Sequence, residues 1–220
     1  MDESNGLSAD VEGTAAPDGR VARGERTRRS LAEAMISLLE EGDPQPTARR
    51  IADRAGVSLR LVFHHFEDLE SIVQAAVTIQ QERHWSRIHP VPPGLPLTDR
   101  TAQLVHQRAE VFAAVAPVRR ATQQLERRSP TVADALARLR EASRAQLRST
   151  FAPELERLGG PERRQVLDAL DVITSWETWD QLQRLGRGQS ACRRTMEALV
   201  GAALQGSRAV ASPTRHRGET

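Results

Sequence analysis

From Glu25 almost to its end, the chain repeats apolar residues at the three- and four-residue spacing of an α-helix, and period-two alternation is scarce. A chain patterned this way can bury stripes but not sheet faces, so its core has to be built by packing helix on helix. Proline and glycine gather between the periodic segments: Gly42-Asp43-Pro44-Gln45-Pro46, Pro90 to Pro96, Ser129-Pro130, Gly159-Gly160-Pro161 and Gly186 to Gly188. Several of these place proline at a first helical turn, where its missing N–H is one that no helix would satisfy anyway. Between the breakers the spacing predicts helices over about 25–41, 47–54, 58–65, 68–89, 98–115, 118–128, 131–151, 162–185 and 190–209. These fall into two groups that meet in or just after the fourth. The expected fold is all-α: an N-terminal three-helix unit over 20–80 and a larger helical body over 81–210, with tails at 1–19 and 211–220 read as disordered.

Composition narrows the function. The 220 residues include no lysine, so all 31 basic residues are arginine, which excludes Schiff-base chemistry and a lysine-bearing phosphate loop. A single cysteine, Cys192, excludes an internal disulfide and a multi-cysteine zinc site. Its neighbours Arg193 and Arg194 are of the kind that lower a thiol pKa, yet no second cysteine exists to resolve an oxidised form. Charge is uneven. Residues 1–19 carry five acids and no arginine, which against a chain total of +2 leaves +7 on the remainder. Arg20, Arg23, Arg26, Arg28 and Arg29 then cluster against Glu25 alone, as a polyanion-binding surface does. No apolar run reaches the roughly 20 residues that span a bilayer, and the acidic start lacks a signal-type apolar segment, so a cytoplasmic location without membrane contact is expected.

The informative stretch runs from Thr47 to Phe66, TARRIADRAGVSLRLVFHHF. Thr47 suits an N-cap, and Ile51 and the small Ala52 suit a close helix crossing. Gly56 suits a left-handed helix end, Val57 packs in the turn, Ser58 caps the next helix, and Val62 and Phe66 return to the core. Small residue, glycine four later and aliphatic six after that is the helix-turn-helix pattern. The second helix of such a pair enters the major groove with its first residues at base edges. Those are Leu59, Arg60 and Leu61, with Phe63 and His64 one turn on, and Arg60 can bind guanine bidentately. Thr47 and Arg49, at the first helix's positive end, suit a phosphate, and Arg26, Arg28 and Arg29 suit another. Over 20–80, nine arginines meet nine acids, so binding needs Glu40, Glu41 and Asp43 to point elsewhere.

Residues 24–76 resemble the N-terminal domain of tetracycline-repressor-like (TetR) transcription regulators. The resemblance rests on Thr47, Ile51-Ala52, Ala55-Gly56-Val57-Ser58, Val62-Phe63, His65-Phe66 and Ile72 inside a three-helix unit followed by a long fourth helix. It implies base or phosphate contact at Arg49 and groove contact from Leu59 to His64. Two positions depart from the family pattern: Phe63 stands where tyrosine is usual and Leu69 where lysine is usual. The departures remove a phenolic hydrogen bond and one ammonium contact to phosphate, about one phosphate's worth of affinity each. An apolar contact from Phe63 to a thymine methyl remains.

Elsewhere the signals are sparser. The helix predicted over 162–185 carries two apolar seams, which place Trp176 and Trp179 at a doubly buried position, and 190–209 mixes Leu199 and Ala203 with small residues that allow close approach. Two such helices per chain can form a four-helix interface with a second copy, and the resemblance implies dimerisation through the last two long helices. Trp85, Phe112, Ser143 and Phe151, and also Trp176 and Trp179, are candidate lining for an effector cavity, with His106, Gln146 and Thr174 as further polar candidates and a mostly apolar ligand expected. No catalytic constellation is found, and adjacent His64-His65 and His84 with His89 lack the spacing of a helical metal site. No metal or cofactor is expected. The combined reading is a ligand-responsive homodimeric repressor that binds a pseudo-palindromic DNA operator and an unidentified small-molecule effector. The competing reading is a helical small-molecule sensor or interaction protein without DNA binding.

Overall fold

A computed structural model describes residues 19–210, apart from the side chains of Arg20, Trp85, Gln124 and 207–210. The sequence expectations for 1–18 and for the 211–220 tail lie outside the described residues. Ten helices and no strand form within them: α1 (Gly19–Glu40), α2 (Ala48–Ala55), α3 (Leu59–His65), α4 (Leu69–Trp85), α5 (Leu97–Glu126), α6 (Pro130–Thr150), α7 (Ala152–Leu155), α8 (Gly160–Ile173), α9 (Trp176–Arg184) and α10 (Gln189–Val210). The all-α expectation holds. None of these helices is long and apolar enough to cross a membrane.

Two cores organise them. The first joins α1 to α4 through Leu31, Met35, Ile51, Val62, Phe66 and Ile72, and it also takes Val118 from α5 and Val132 and Leu136 from α6. The second joins the other parts of α5 and α6 to α7–α10 through Leu104, Leu147, Phe151, Leu170, Trp176, Trp179, Met196 and Val200. α5 and α6 therefore have one end in each core, so the three-helix unit and α4 rest on the body over a continuous apolar surface. The sequence boundary near residue 80 runs through packed side chains.

Four helix boundaries differ from the sequence expectation, each for a local reason. α1 begins at Gly19 rather than near 25: no proline interrupts 19–25, and Arg20, Ala22 and Arg23 are good helix formers that carry the helix through Gly24. α4 ends at Trp85 instead of running to 89, closed by the Arg87 N–H donating to His84 O at 3.0 Å. The helices expected at 98–115 and 118–128 are one helix, α5, with Pro117 inside it. Interior proline costs about 3 kcal/mol, but Ala116 and Val118 on either side of it are buried in the two different cores, and that packing holds the helix through. Conversely, the single helix expected at 162–185 breaks at Thr174-Ser175. There the Thr174 hydroxyl donates to Leu170 O at 2.7 Å and the Ser175 hydroxyl caps α9 by accepting from Thr178 N–H at 3.1 Å. Hydroxyl side chains compete for backbone partners in this way.

One buried ion pair ties the body together. Arg100 of α5 donates to both carboxylate oxygens of Glu154 in α7, at 2.8 and 2.7 Å, and also to the Thr150 and Leu95 carbonyls. The short α7, which the sequence reading did not anticipate, carries the acid of this pair.

Candidate nucleic-acid interface and internal cavity

The α2–α3 pair is assembled as its residues dictate. The Thr47 hydroxyl accepts from Arg50 N–H at 3.3 Å, and the Ser58 hydroxyl accepts from Leu61 N–H at 3.3 Å. Gly56 ends α2 at φ 68°, with its N–H donating to Ala52 and Asp53 carbonyls. Ile51, Ala52, Val62 and Phe66 are buried. A side chain at Gly56 would meet no atoms, but the left-handed backbone itself is costly for an L residue. Gly56→Val is therefore expected to destabilise the protein by about 1–2 kcal/mol, read as an earlier denaturant midpoint at unchanged slope.

Burying Val62 and Phe66 turns the rest of α3 outward. Leu59, Arg60, Phe63 and His64 are exposed, Phe63 by 55%, and Leu61 is half-buried. These four sit at positions one and four apart, on one face of a helix. Leu69 at the start of α4 is also exposed. The charges around them are sorted by pairing. Glu41 binds Arg54 through two contacts at 2.7 and 2.5 Å, Asp43 binds Arg50 at 2.5 Å, Glu82 binds Arg29 at 3.0 Å, and Glu33 binds Arg83. The Arg54 hydrogen bonds hold the Glu41 carboxyl below its ordinary pKa. Arg26, Arg49 and Arg60 are exposed and have no ion-pair partner among the described residues.

Arg28 is placed differently from its expected role. Its guanidinium donates to the His65 carbonyl at 2.5 Å and lies over the Phe66 ring at 4.3 Å. It is a clamp between α1 and the end of α3, satisfying a helix-end carbonyl and not a phosphate. Arg28→Ala is expected to loosen the end of α3 and cost about 1–3 kcal/mol. Faster amide exchange across 59–66 in the DNA-free protein would register it, and unchanged exchange there would refute it. His65 is held below its ordinary pKa by burial and then by His64, whose ring lies 5.2 Å away, edge-on. No group of three or more metal-ligating side chains occurs among the described residues.

The body contains a cavity of about 500 Å³, within the range of small-molecule sites. Its walls come from α4, α5, α6 and the α8–α9 break. Of the candidates, Phe112 and Ser143 line it, with Gln146 and Thr174. Phe151 does not: it is fully buried in the second core. The Trp85 side chain lies outside the described residues. His106 is instead exposed and bonded to Arg193 at 2.8 Å. Trp176 and Trp179 are also placed inward. Both are buried in the core of their own chain, where Trp176 lines the cavity and Trp179 packs on Phe112. The expectation that they face a second copy is thereby corrected: with the helix broken at 174–175, a single protomer covers both. Leu199 is exposed on α10, and Ala203 is half-buried against the second core.

Gln80 and His84 from α4 and Arg108 from α5 are among the cavity-wall residues that were not anticipated. Arg108 is 3% exposed, and burial draws its pKa down to about 10 against the opposing charge of Asp171. It donates to the Thr174 carbonyl and hydroxyl at 3.0 and 2.5 Å, to Ser143 O at 2.7 Å, and to Gln146 Oε1 at 3.3 and 3.4 Å. The signal for it was present in the sequence: Arg108 lies four residues from both Leu104 and Phe112, a charge inside an apolar stripe. Cys192, in contrast, is fully buried. Burial raises its thiol pKa despite the nearby arginines, so the lowering suggested by Arg193 and Arg194 does not occur.

A helix-turn-helix unit resting on a larger helical body with a partly open cavity defines the class. No protein-family model and no curated protein matches the sequence. Solved structures do. A TetR-family transcriptional regulator from Streptomyces coelicolor superposes with a TM-score of 0.63 at 21% identity, over 85% of this chain and 82% of that one. A transcriptional regulator from Rhodococcus sp. Rha1 superposes with a TM-score of 0.63 at 20% identity, over 83% of this chain and 96% of that one. The chain thus has the all-α fold of TetR-family transcriptional regulators.

Proposed function

We propose that this protein is a DNA-binding transcription regulator, a ligand-responsive homodimeric repressor of a pseudo-palindromic operator. The observation that carries the reading is the outward face of α3. Leu59, Arg60, Phe63 and His64 are exposed there on a capped helix whose inner residues are locked in the core. Such a face has no structural task, and Arg60 and Arg49 are arginines without an acid partner among the described residues. In this reading Arg60 contacts a base edge, Arg49 and Arg26 contact phosphates, and the N-termini of α2 and α3, which bring Thr47 and Ser58, present N–H groups to the backbone.

Homodimerisation is supported by α10. It exposes Leu199 among the small residues Ala198, Ala202 and Gly206, and it packs on α8 within the protomer. Small outer residues let a second α8–α10 pair approach closely. Ligand response is supported by α4, which follows the reader helices and gives Val77, Gln80, Gln81 and His84 to the cavity wall. A molecule bound there touches the helix that connects the two functions.

Selection of bound fragments from random DNA tests the reading. Two half-sites on successive major grooves should emerge. Arg60→Ala should relax preference at one base position per half-site and cost about 1–3 kcal/mol. Failure to enrich any DNA would favour the sensor without DNA binding. An inducer that fills the cavity has to bind more weakly to the operator complex by the same factor that it weakens operator binding.

A further inference from the structure

Two arginines two turns apart on α5 are both buried, and they differ in one respect. Arg100 has the Glu154 carboxylate in a two-point contact. Among the described residues Arg108 has no carboxylate within ion-pair distance, and Asp171, whose charge acts on it, is bonded to Arg144 at 3.3 Å. A buried cation without a counter-ion is costly and is seldom kept for stability. Its bonds to protein also differ in quality. Those to Thr174 and Ser143 run from 2.5 to 3.0 Å, whereas Gln146 Oε1 sits before the Nε and Nη2 donors at 3.4 and 3.3 Å. Nε and Nη2 form the parallel fork that accepts a carboxylate bidentately, and good contacts there are shorter. Gln146 is itself loosely held, its Nε2 donating at 3.4 and 3.3 Å to His89 O and Gln107. Independently, three polar atoms on the same wall have no hydrogen-bond partner among the described residues: Gln80 Oε1, His84 Nδ1 and Trp176 Nε1. Gln80 and Trp176 are more than nine-tenths buried and these atoms are closed off from solvent, so the wall around Arg108 carries unmet polar groups beside its unpaired cation.

We propose that the cavity binds a mostly apolar organic carboxylate, whose carboxylate takes the Nε–Nη2 fork of Arg108 in place of the Gln146 carbonyl. The apolar body lies along Val77, Val111, Phe112, Val115 and Leu139. This deepens the effector reading and rests on it. The ligand supplies the missing counter-charge and lies between Arg108 on α5 and Val77 on α4, the helix that leaves the reader unit.

The test compares decanoate, hydroxydecanoate and phenylbutyrate with their primary amides, by calorimetry on the full chain. Acids should bind more tightly than the matched amides by about tenfold, the factor that one charge-assisted contact supports. Because Arg108→Met can unsettle the α8–α9 break, the decisive variant is Gln146→Glu, which is nearly isosteric and places a carboxylate in the fork. It should raise the melting temperature, abolish the preference for acids and leave amide binding in place. Acids and amides binding alike, no binding by any acid, or a Gln146→Glu protein that keeps the acid preference would each overturn the proposal. An operator-binding measurement separates this from the regulator reading. Acids that bind at Arg108 without changing DNA affinity would leave the site standing and remove the ligand response. Amides that release DNA as well as acids do would do the reverse.

Discussion

Replacing Glu154 with leucine is expected to destabilise the protein by about 3–5 kcal/mol, because it leaves the buried Arg100 without its counter-charge. Both partners are at least nine-tenths buried, and the pair bridges α5 to α7 with two contacts below 3 Å. The effect carries a pH signature. Burial works to raise the Glu154 carboxyl pKa, but the hydrogen bonds and charge of Arg100 outweigh it and hold the carboxyl below its ordinary value of 4.5. A depressed carboxyl pKa contributes stability that is complete above the unfolded value and is lost as pH falls through the folded one. Stability of the natural protein should therefore drop below about pH 4.5 more steeply than that of Glu154→Leu, in which this contribution is gone at every pH. Denaturant titrations of both proteins from neutral to acid pH measure it. Parallel curves would show that the pair contributes nothing.

Trp179→Ala is expected to cost about 3–5 kcal/mol, as large-to-small changes of buried aromatic residues do. Trp179 is 4% exposed in the isolated chain and its ring packs at 6.1 Å from Phe112, which lines the cavity. The loss should be independent of protein concentration, since one protomer provides the whole environment. A residue in a seam between copies would behave otherwise, with a melting temperature shift that depends on protein concentration. The cavity should also feel the change: with Phe112 unsupported, binding of the carboxylate probes should weaken even where the protein remains folded. A concentration-dependent loss would return Trp179 to the interface between copies.

The helix-turn-helix was legible because every one of its signals is local. Thr47 and Ser58 accept from N–H groups three residues on, and Gly56 takes a backbone conformation that other residues resist. Ile51, Ala52, Val62 and Phe66 lie at spacings that one turn of chain fixes. From these the outward positions Leu59, Arg60, Phe63 and His64 follow by elimination around the helix. Arg28 was misread because nothing within a few residues of it reveals that its guanidinium reaches a carbonyl 37 residues away.

What the sequence determined by itself is the all-α class, the capped α2–α3 pair and the identity of its exposed face, since period, cap and turn chemistry act over a few residues. What only the tertiary structure decided is where helices join or break, and which buried polar groups are partnered. Pro117 stays inside a helix because two cores grip its flanks, and Thr174-Ser175 opens one because the hydroxyls find backbone partners there. The same long-range geometry gives Arg100 an acid and leaves Arg108 facing a cavity without one. Periodicity can report that a side chain is buried. Which atoms it meets depends on helices brought together from distant parts of the chain, and residue spacing carries no record of that.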